Sequence, residues 1–125
     1  MKINDSPYGE KFLYLGRKVM CVPFSRFGYG EPINAIDIKT GKILYVPEEE
    51  ELHPIEICFA YAVENFTKNF GELSVGDKFF FGNDLFIRSE AFLNSDDVLV
   101  DAYCLTSGKM ACFWDDEEIF PVFEK

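Results

Sequence analysis

The sequence predicts a mainly all-β protein assembled by internal duplication, with two similar halves packed as one pseudo-symmetric body. Three observations carry this expectation. Short aromatic or β-branched runs bounded by Gly, Asn and Asp recur along the 125 residues. No segment shows a helical apolar period long enough to cover a sheet. The chain also matches itself when displaced by 67 positions.

That displacement places Gly9, Lys11 and Phe12 on Gly76, Lys78 and Phe79. Without a gap it carries Ala35 to Ala102, Gly41 and Lys42 to Gly108 and Lys109, Glu50 and Glu51 to Glu117 and Glu118, and Pro54 to Pro121. Many other positions keep their chemistry, among them Tyr14 with Phe81, Ile33 with Val100, Ile38 with Leu105, Thr40 with Ser107 and Leu52 with Ile119. Two unrelated strand-rich segments would not preserve residue type in register, so the repeat is treated as a duplication.

Each copy then reads as a series of short strands. KFLYL and KFFFG come first, followed by RKVMCVPF and DLFIRSEAF. INAIDIKTGKILYV and VLVDAYCLTSGKMACFW each hold two strands around a glycine turn, with Thr40-Gly41 and Ser107-Gly108 as expected hairpin tips. LHPIEI and IFPVFE close the copies. Four or five short strands in about 50 residues indicate small barrels or half-open sheets, SH3-like in topology. Units of this size bury little surface alone, so the two are expected to share an interface.

The expected boundaries are 1–55 for the first repeat, 56–69 for a connecting segment and 70–125 for the second repeat. Residues 56–66 read equally as a strand or a short helix, because periodicity does not arbitrate at that length. Cys58, Phe59, Tyr61 and Val63 are too apolar for a flexible linker.

Composition bounds the function. With 48% hydrophobic residues and fourteen Phe, the chain has the material for a core. No apolar run approaches the roughly 18 residues of a membrane span, and MKINDSPYGEKF lacks the apolar core of a secretion signal. A cytoplasmic location is therefore expected, with no membrane partner. Cys21, Cys58, Cys104 and Cys112 contain no CxxC pair and are read as free, mostly buried thiols.

The formal charge of −10, from 12 Lys and Arg against 22 Asp and Glu, argues against direct nucleic acid binding, which calls for a basic face. It suits a basic protein partner or mimicry of a nucleic acid surface. No catalytic residue, metal site or cofactor is assigned. The single His53 stands where the second copy has Phe120, which reads as a half-buried strand position, and no GxSxG, P-loop or HExxH motif is present.

The phrase FGELSVGDKFFFGNDLFIRSE carries a resemblance. Phe70, Leu73, Gly76, Asp77, Phe79 and Phe81 form an F-x-x-L-x-x-G-D-x-F-x-F pattern that resembles the opening of small β-barrel proteins encoded among the accessory genes of tailed bacteriophages. GKMACFWDDEEIFPV fits the closing segment and acidic turn of such proteins. The first copy departs from the pattern, with Ile3 for Phe70 and Ser6 for Leu73. The resemblance implies a small barrel and an inhibitor, anti-defence or ligand-trapping role in a host cell's cytoplasm, and it transfers no binding residues.

Candidate binding residues come from the places where the copies differ. VPFSRFGYGEP in the first copy becomes SEAFLNSDDVL in the second, and its Phe24, Arg26, Phe27 and Tyr29 have the composition of a recognition surface or, equally, of a loop tucked against the other half. Trp114 replaces Pro47 beside an acidic run, either as a packing residue or as a surface anchor. Glu48, Glu49, Glu50 and Glu51, with Asp115, Asp116, Glu117 and Glu118, read as two solvated turns without the alternating spacing of a calcium loop.

Three functions follow. The leading one is a noncatalytic acidic protein that occupies a basic surface of a host or partner protein. The second is a trap for a nucleotide-like molecule, which needs Arg26, Arg17, Arg88 or Lys side chains to converge. The third is a structural or assembly adaptor, with self-association left open. An enzyme is the weakest reading.

Overall fold

The computed structural model describes residues 1–26, 30–57, 61–94 and 96–124. The chain is all-β, with two antiparallel sheets, and its only helical elements among these residues are two single 3₁₀ turns. The first half contains β1 (Lys11–Tyr14), β2 (Arg17–Arg26), β3 (Pro32–Asp37), β4 (Ile43–Leu44) and β5 (His53–Pro54), in the order β4-β3-β2-β1-β5. After β6 (Tyr61–Val63) and β7 (Lys68–Asn69) come β8 (Lys78–Phe81), β9 (Asp84–Leu93), β10 (Leu99–Cys104), β11 (Met110–Ala111) and β12 (Glu118–Glu124), in the order β11-β10-β9-β8-β12-β6.

Every strand of the first half has a counterpart 67 residues later, and so does each strand pairing. Lys11 faces Met20 as Lys78 faces Ile87, and Phe12 faces Pro54 as Phe79 faces Pro121. The 3₁₀ turns Ile3–Asp5 and Phe70–Glu72, which propensity did not reveal, also keep this spacing. Ile3 and Ser6 are both buried, so the weaker match of the first copy still holds its place in the fold. Among the described residues neither sheet closes on itself, which leaves half-open sheets.

Two details refine the expected strand plan. The connecting segment is extended at Tyr61–Val63 and Lys68–Asn69, and both pieces pair with β12, which lengthens that strand relative to β5. The tips after β3 and β10 are five-residue loops, 38–42 and 105–109: Gly41 donates its N–H to Asp37 O at 2.9 Å, and Gly108 to Cys104 O at 2.9 Å. Both glycines have positive φ, which lets a longer loop return into the narrow ladder.

Among the described residues, apolar side chains form three clusters. Ile3, Phe12, Val19, Cys21, Ala35, Val46 and Leu52 make the first half's own core, and Phe70, Phe79, Ala102, Phe113 and Ile119 make the second's. The third cluster joins Met20, Ile33, Ile36 and Ile38 to Ile87, Val100, Tyr103 and Leu105. It is built from equivalent positions of both halves. Alternation explains this sharing: Val19 and Cys21 face the private core, while Met20 faces the common one.

The halves also meet backbone to backbone. A Cβ on Gly41 would lie 2.4 Å from Arg88 O and 2.6 Å from Gly76 N, and one on Gly108 would lie 2.6 Å from Gly9 N and 2.7 Å from Cys21 O. These glycines recur in both copies because each loop tip crosses the other half's main chain too closely for a side chain. Glu90 N–H donates to Gly41 O at 3.1 Å, and Lys11 Nζ donates to Leu105 O at 2.5 Å.

Candidate functional site

The acidic runs are turns held at both ends. Val46 and Leu52 are buried on either side of Glu48–Glu51, and all four glutamates are exposed. Val46 exchanges two hydrogen bonds with the Asn34 side chain, donating to Oδ1 at 2.7 Å and accepting from Nδ2 at 2.8 Å. Leu52 N–H donates to Met1 O at 2.7 Å, and the Met1 ammonium pairs with Glu51. That ammonium holds the Glu51 carboxyl below its ordinary range.

The second turn follows the same plan with different chemistry. Phe113 and Ile119 are buried at its ends, and Phe113 N–H donates to Asp101 Oδ1 at 3.1 Å. Asp101 replaces Asn34, so the returning amide donor is missing. Burial pushes its carboxyl up, with the Phe113 N–H and Arg88 opposing. Gly71 and Phe70 donate to Asp115 O and Glu117 O at 2.9 and 2.8 Å, which fixes the turn against its 3₁₀ element. Asp115, Asp116 and Glu118 are exposed and Glu117 is half-buried.

Trp114 opens this turn and is 77% exposed. Of the two readings that the sequence left open for it, surface anchor or packing residue, its position is that of a surface side chain. It stands beside Asp115 and Asp116 on a segment whose backbone is bonded on both sides.

The other predicted residues are dispersed. Phe24 is 56% exposed, and the Arg26 guanidinium lies 5.7 Å from its ring centroid. Phe27 and Tyr29 lie outside the described residues. A groove of about 370 Å³ lined by Pro32, Ile33, Ile43, Leu44 and Tyr45 adjoins the loop's return. Arg88 is not part of this surface. Its Nη1 donates to Phe70 O and Leu73 O, both at 2.7 Å, and its guanidinium covers the Phe70 ring at 4.5 Å. Those bonds commit it to holding the 3₁₀ turn, at the position where the first half has buried Cys21.

His53 also corrects an expectation. It is exposed rather than half-buried, as is Phe120, because side chains alternate along each closing segment and the preceding residues, Leu52 and Ile119, take the buried face. Burial, with Glu10 nearby, pushes the Cys21 thiol up to about 11, and burial with Asp101 raises Cys112, so both are thiols at neutral pH. Among the described residues, no group of three His, Cys, Asp or Glu side chains converges as a metal site would require.

One cluster went unread in the sequence. Arg17, Asp37, Thr40, Lys42, Val75 and Glu90 line a cleft of about 550 Å³ where the halves meet. Their counterparts at the 67-residue spacing are Asp84, Cys104, Ser107, Lys109, Tyr8 and Pro23. The change of charge at three of these six positions was the available signal.

Comparison of the chain with family models, with curated proteins and with solved structures returned no match.

Proposed function

We propose that the protein is a noncatalytic acidic binding protein, a phage-type accessory inhibitor that acts in the host cytoplasm by covering a basic surface of a host protein. The observation that carries this reading is Trp114, largely exposed on an anchored turn between a buried Phe113 and a run of carboxylates. An exposed indole on a fixed backbone supplies contact area with little ordering cost, and tryptophan is enriched where interface energy concentrates. Neighbouring carboxylates add attraction to lysine and arginine and exclude anionic competitors. The net charge of −10 extends the same preference over the molecule.

The reading is tested by comparing what the immobilised protein retains from a bacterial lysate with what Trp114→Ala and the Asp115→Asn, Asp116→Asn double variant retain. A basic protein held by the wild type, lost from both variants and released by salt is the expected result. Raising ionic strength from about 0.1 M to 1 M shortens the screening length from about 10 Å to 3 Å. Retention indifferent to both variants and to salt would remove the basis for the proposal.

A further inference from the structure

The cleft at the junction of the halves has features that the acidic surface does not use. Its floor is fixed, because Gly41 and Gly76 cross there main chain to main chain and Glu90 N–H bonds Gly41 O. Asp37, buried at the end of β3, receives Lys39 N–H and Thr40 N–H on Oδ1 at 2.9 and 3.2 Å. Among the described residues its Oδ2 meets only Arg17 Nε, at 4.0 Å, beyond hydrogen-bond distance. Glu90 accepts Ile43 N–H on Oε1 at 3.0 Å, and its Oε2 has no bond among the described residues.

The cations are similarly available. The Arg17 side chain is 51% exposed, and its only polar contact among the described residues is the long one to Asp37. Lys42 lines the same cleft, and its ammonium has neither hydrogen bond nor ion pair among the described residues. Val75, half-exposed, supplies one apolar wall. The cleft therefore offers two cationic donors, two carboxylate oxygens with free acceptor capacity, and a small hydrophobic face.

The pseudo-equivalent place in the molecule lacks this set. Asp84 stands for Arg17, Cys104 for Asp37 and Pro23 for Glu90, while Tyr8 replaces the smaller Val75. Of the charged residues only the lysine is retained, and Ser107 keeps the hydroxyl of Thr40. Residues kept in both copies, such as Gly41 and Gly108, serve the junction itself, so the one-sided charges are not required to join the halves.

We propose that this cleft binds a small phosphorylated polyol or sugar: Arg17 and Lys42 hold the phosphate, and Asp37 and Glu90 accept from neighbouring hydroxyls. A guanidinium and an ammonium together suit a phosphate dianion, the first by its planar fork and the second as a point charge. Carboxylates beside that anion repel it unless hydroxyl groups lie between, which is the basis for selecting a phosphate ester over a bare ion. Both cations face solvent, so the dissociation constant should be on the order of 1 mM. The site is independent of the acidic turns and stands or falls without them.

The test is a titration of the isotope-labelled full chain with ribose 5-phosphate and, separately, inorganic phosphate, followed through backbone amide shifts. Ribose 5-phosphate should shift Lys39–Ile43 and Glu90 saturably below about 10 mM, with inorganic phosphate at least about fivefold weaker. Arg17→Ala and Lys42→Ala should each weaken binding about tenfold, the loss expected for one charge-assisted contact. Lys109→Ala, the matching change in the other half, should leave it unchanged. Lys42 is exposed on a loop tip, so its variant remains informative if Arg17→Ala folds poorly. Absence of saturable shifts, equal affinity for inorganic phosphate, or binding that survives Lys42→Ala would each overturn the assignment.

Discussion

Asp101 and Asn34 occupy equivalent places opposite a bulge in the long strand of each half, and they differ by a single donor. Asn34 gives and receives a bond with Val46, while ionised Asp101 only receives one from Phe113. Because burial raises the folded-state pKa of Asp101, its favourable contribution is complete below the unfolded value of about 3.9 and is lost as pH rises through the folded value. Asp101→Asn should therefore stabilise the protein by about 1 kcal/mol at pH 7, and denaturant unfolding should show the advantage shrinking toward pH 4. A gain of the same size at both pH values would contradict this account. Tyr103 presents the opposite case. It is fully buried in the shared core, its hydroxyl has no hydrogen-bond partner among the described residues, and burial pushes its pKa up. Tyr103→Phe should be neutral or stabilising by up to about 1 kcal/mol, whereas Tyr103→Ala should cost about 3–5 kcal/mol through the cavity it opens.

At the level of elements, the turns separate backbone strain from steric contact. Gly16 and Gly41 have φ of 75° and 76°, but a Cβ at Gly16 meets nothing within 4 Å among the described residues, while one at Gly41 strikes the main chain of the other half. Gly16→Ala should cost about 1–2 kcal/mol, the price of left-handed backbone alone, and Gly41→Ala clearly more. Equal losses in thermal or chemical unfolding would mean that the crossing relaxes around a methyl group. Leu15, beside Gly16, has φ of 50° and is 83% exposed, whereas the second copy places Gly82 there. Leu15→Gly should stabilise by up to about 1 kcal/mol, measured in the same way, if the relief of left-handed strain exceeds the added freedom of the unfolded chain.

For the molecule as a whole, the common core predicts that the halves do not unfold separately. Ile36 and Tyr103 are equivalent residues of β3 and β10 that meet in one cluster with side chains from both sheets. Ile36→Ala removes core volume from the first half and should cost about 2–5 kcal/mol, yet amides of the second half should lose protection by a similar amount in hydrogen exchange. Two transitions, with the second half unaffected, would show that the shared cluster couples the sheets weakly.

The all-β class, the 67-residue spacing and most strand positions could be read from sequence because they rest on local chemistry: alternating side chains, turn glycines and residue types repeated in register. The acidic turns were legible for the same reason, since Val46 with Leu52 and Phe113 with Ile119 bracket each run with apolar residues. Tertiary structure decided which cationic groups remain available. Arg88 looked like Arg17 as a letter, but the carbonyls of Phe70 and Leu73 engage it, while Arg17 is left beside Asp37 in the junction cleft. Hydrogen-bond capacity and solvent access depend on neighbours distant in sequence, and those neighbours are set only when the two sheets pack.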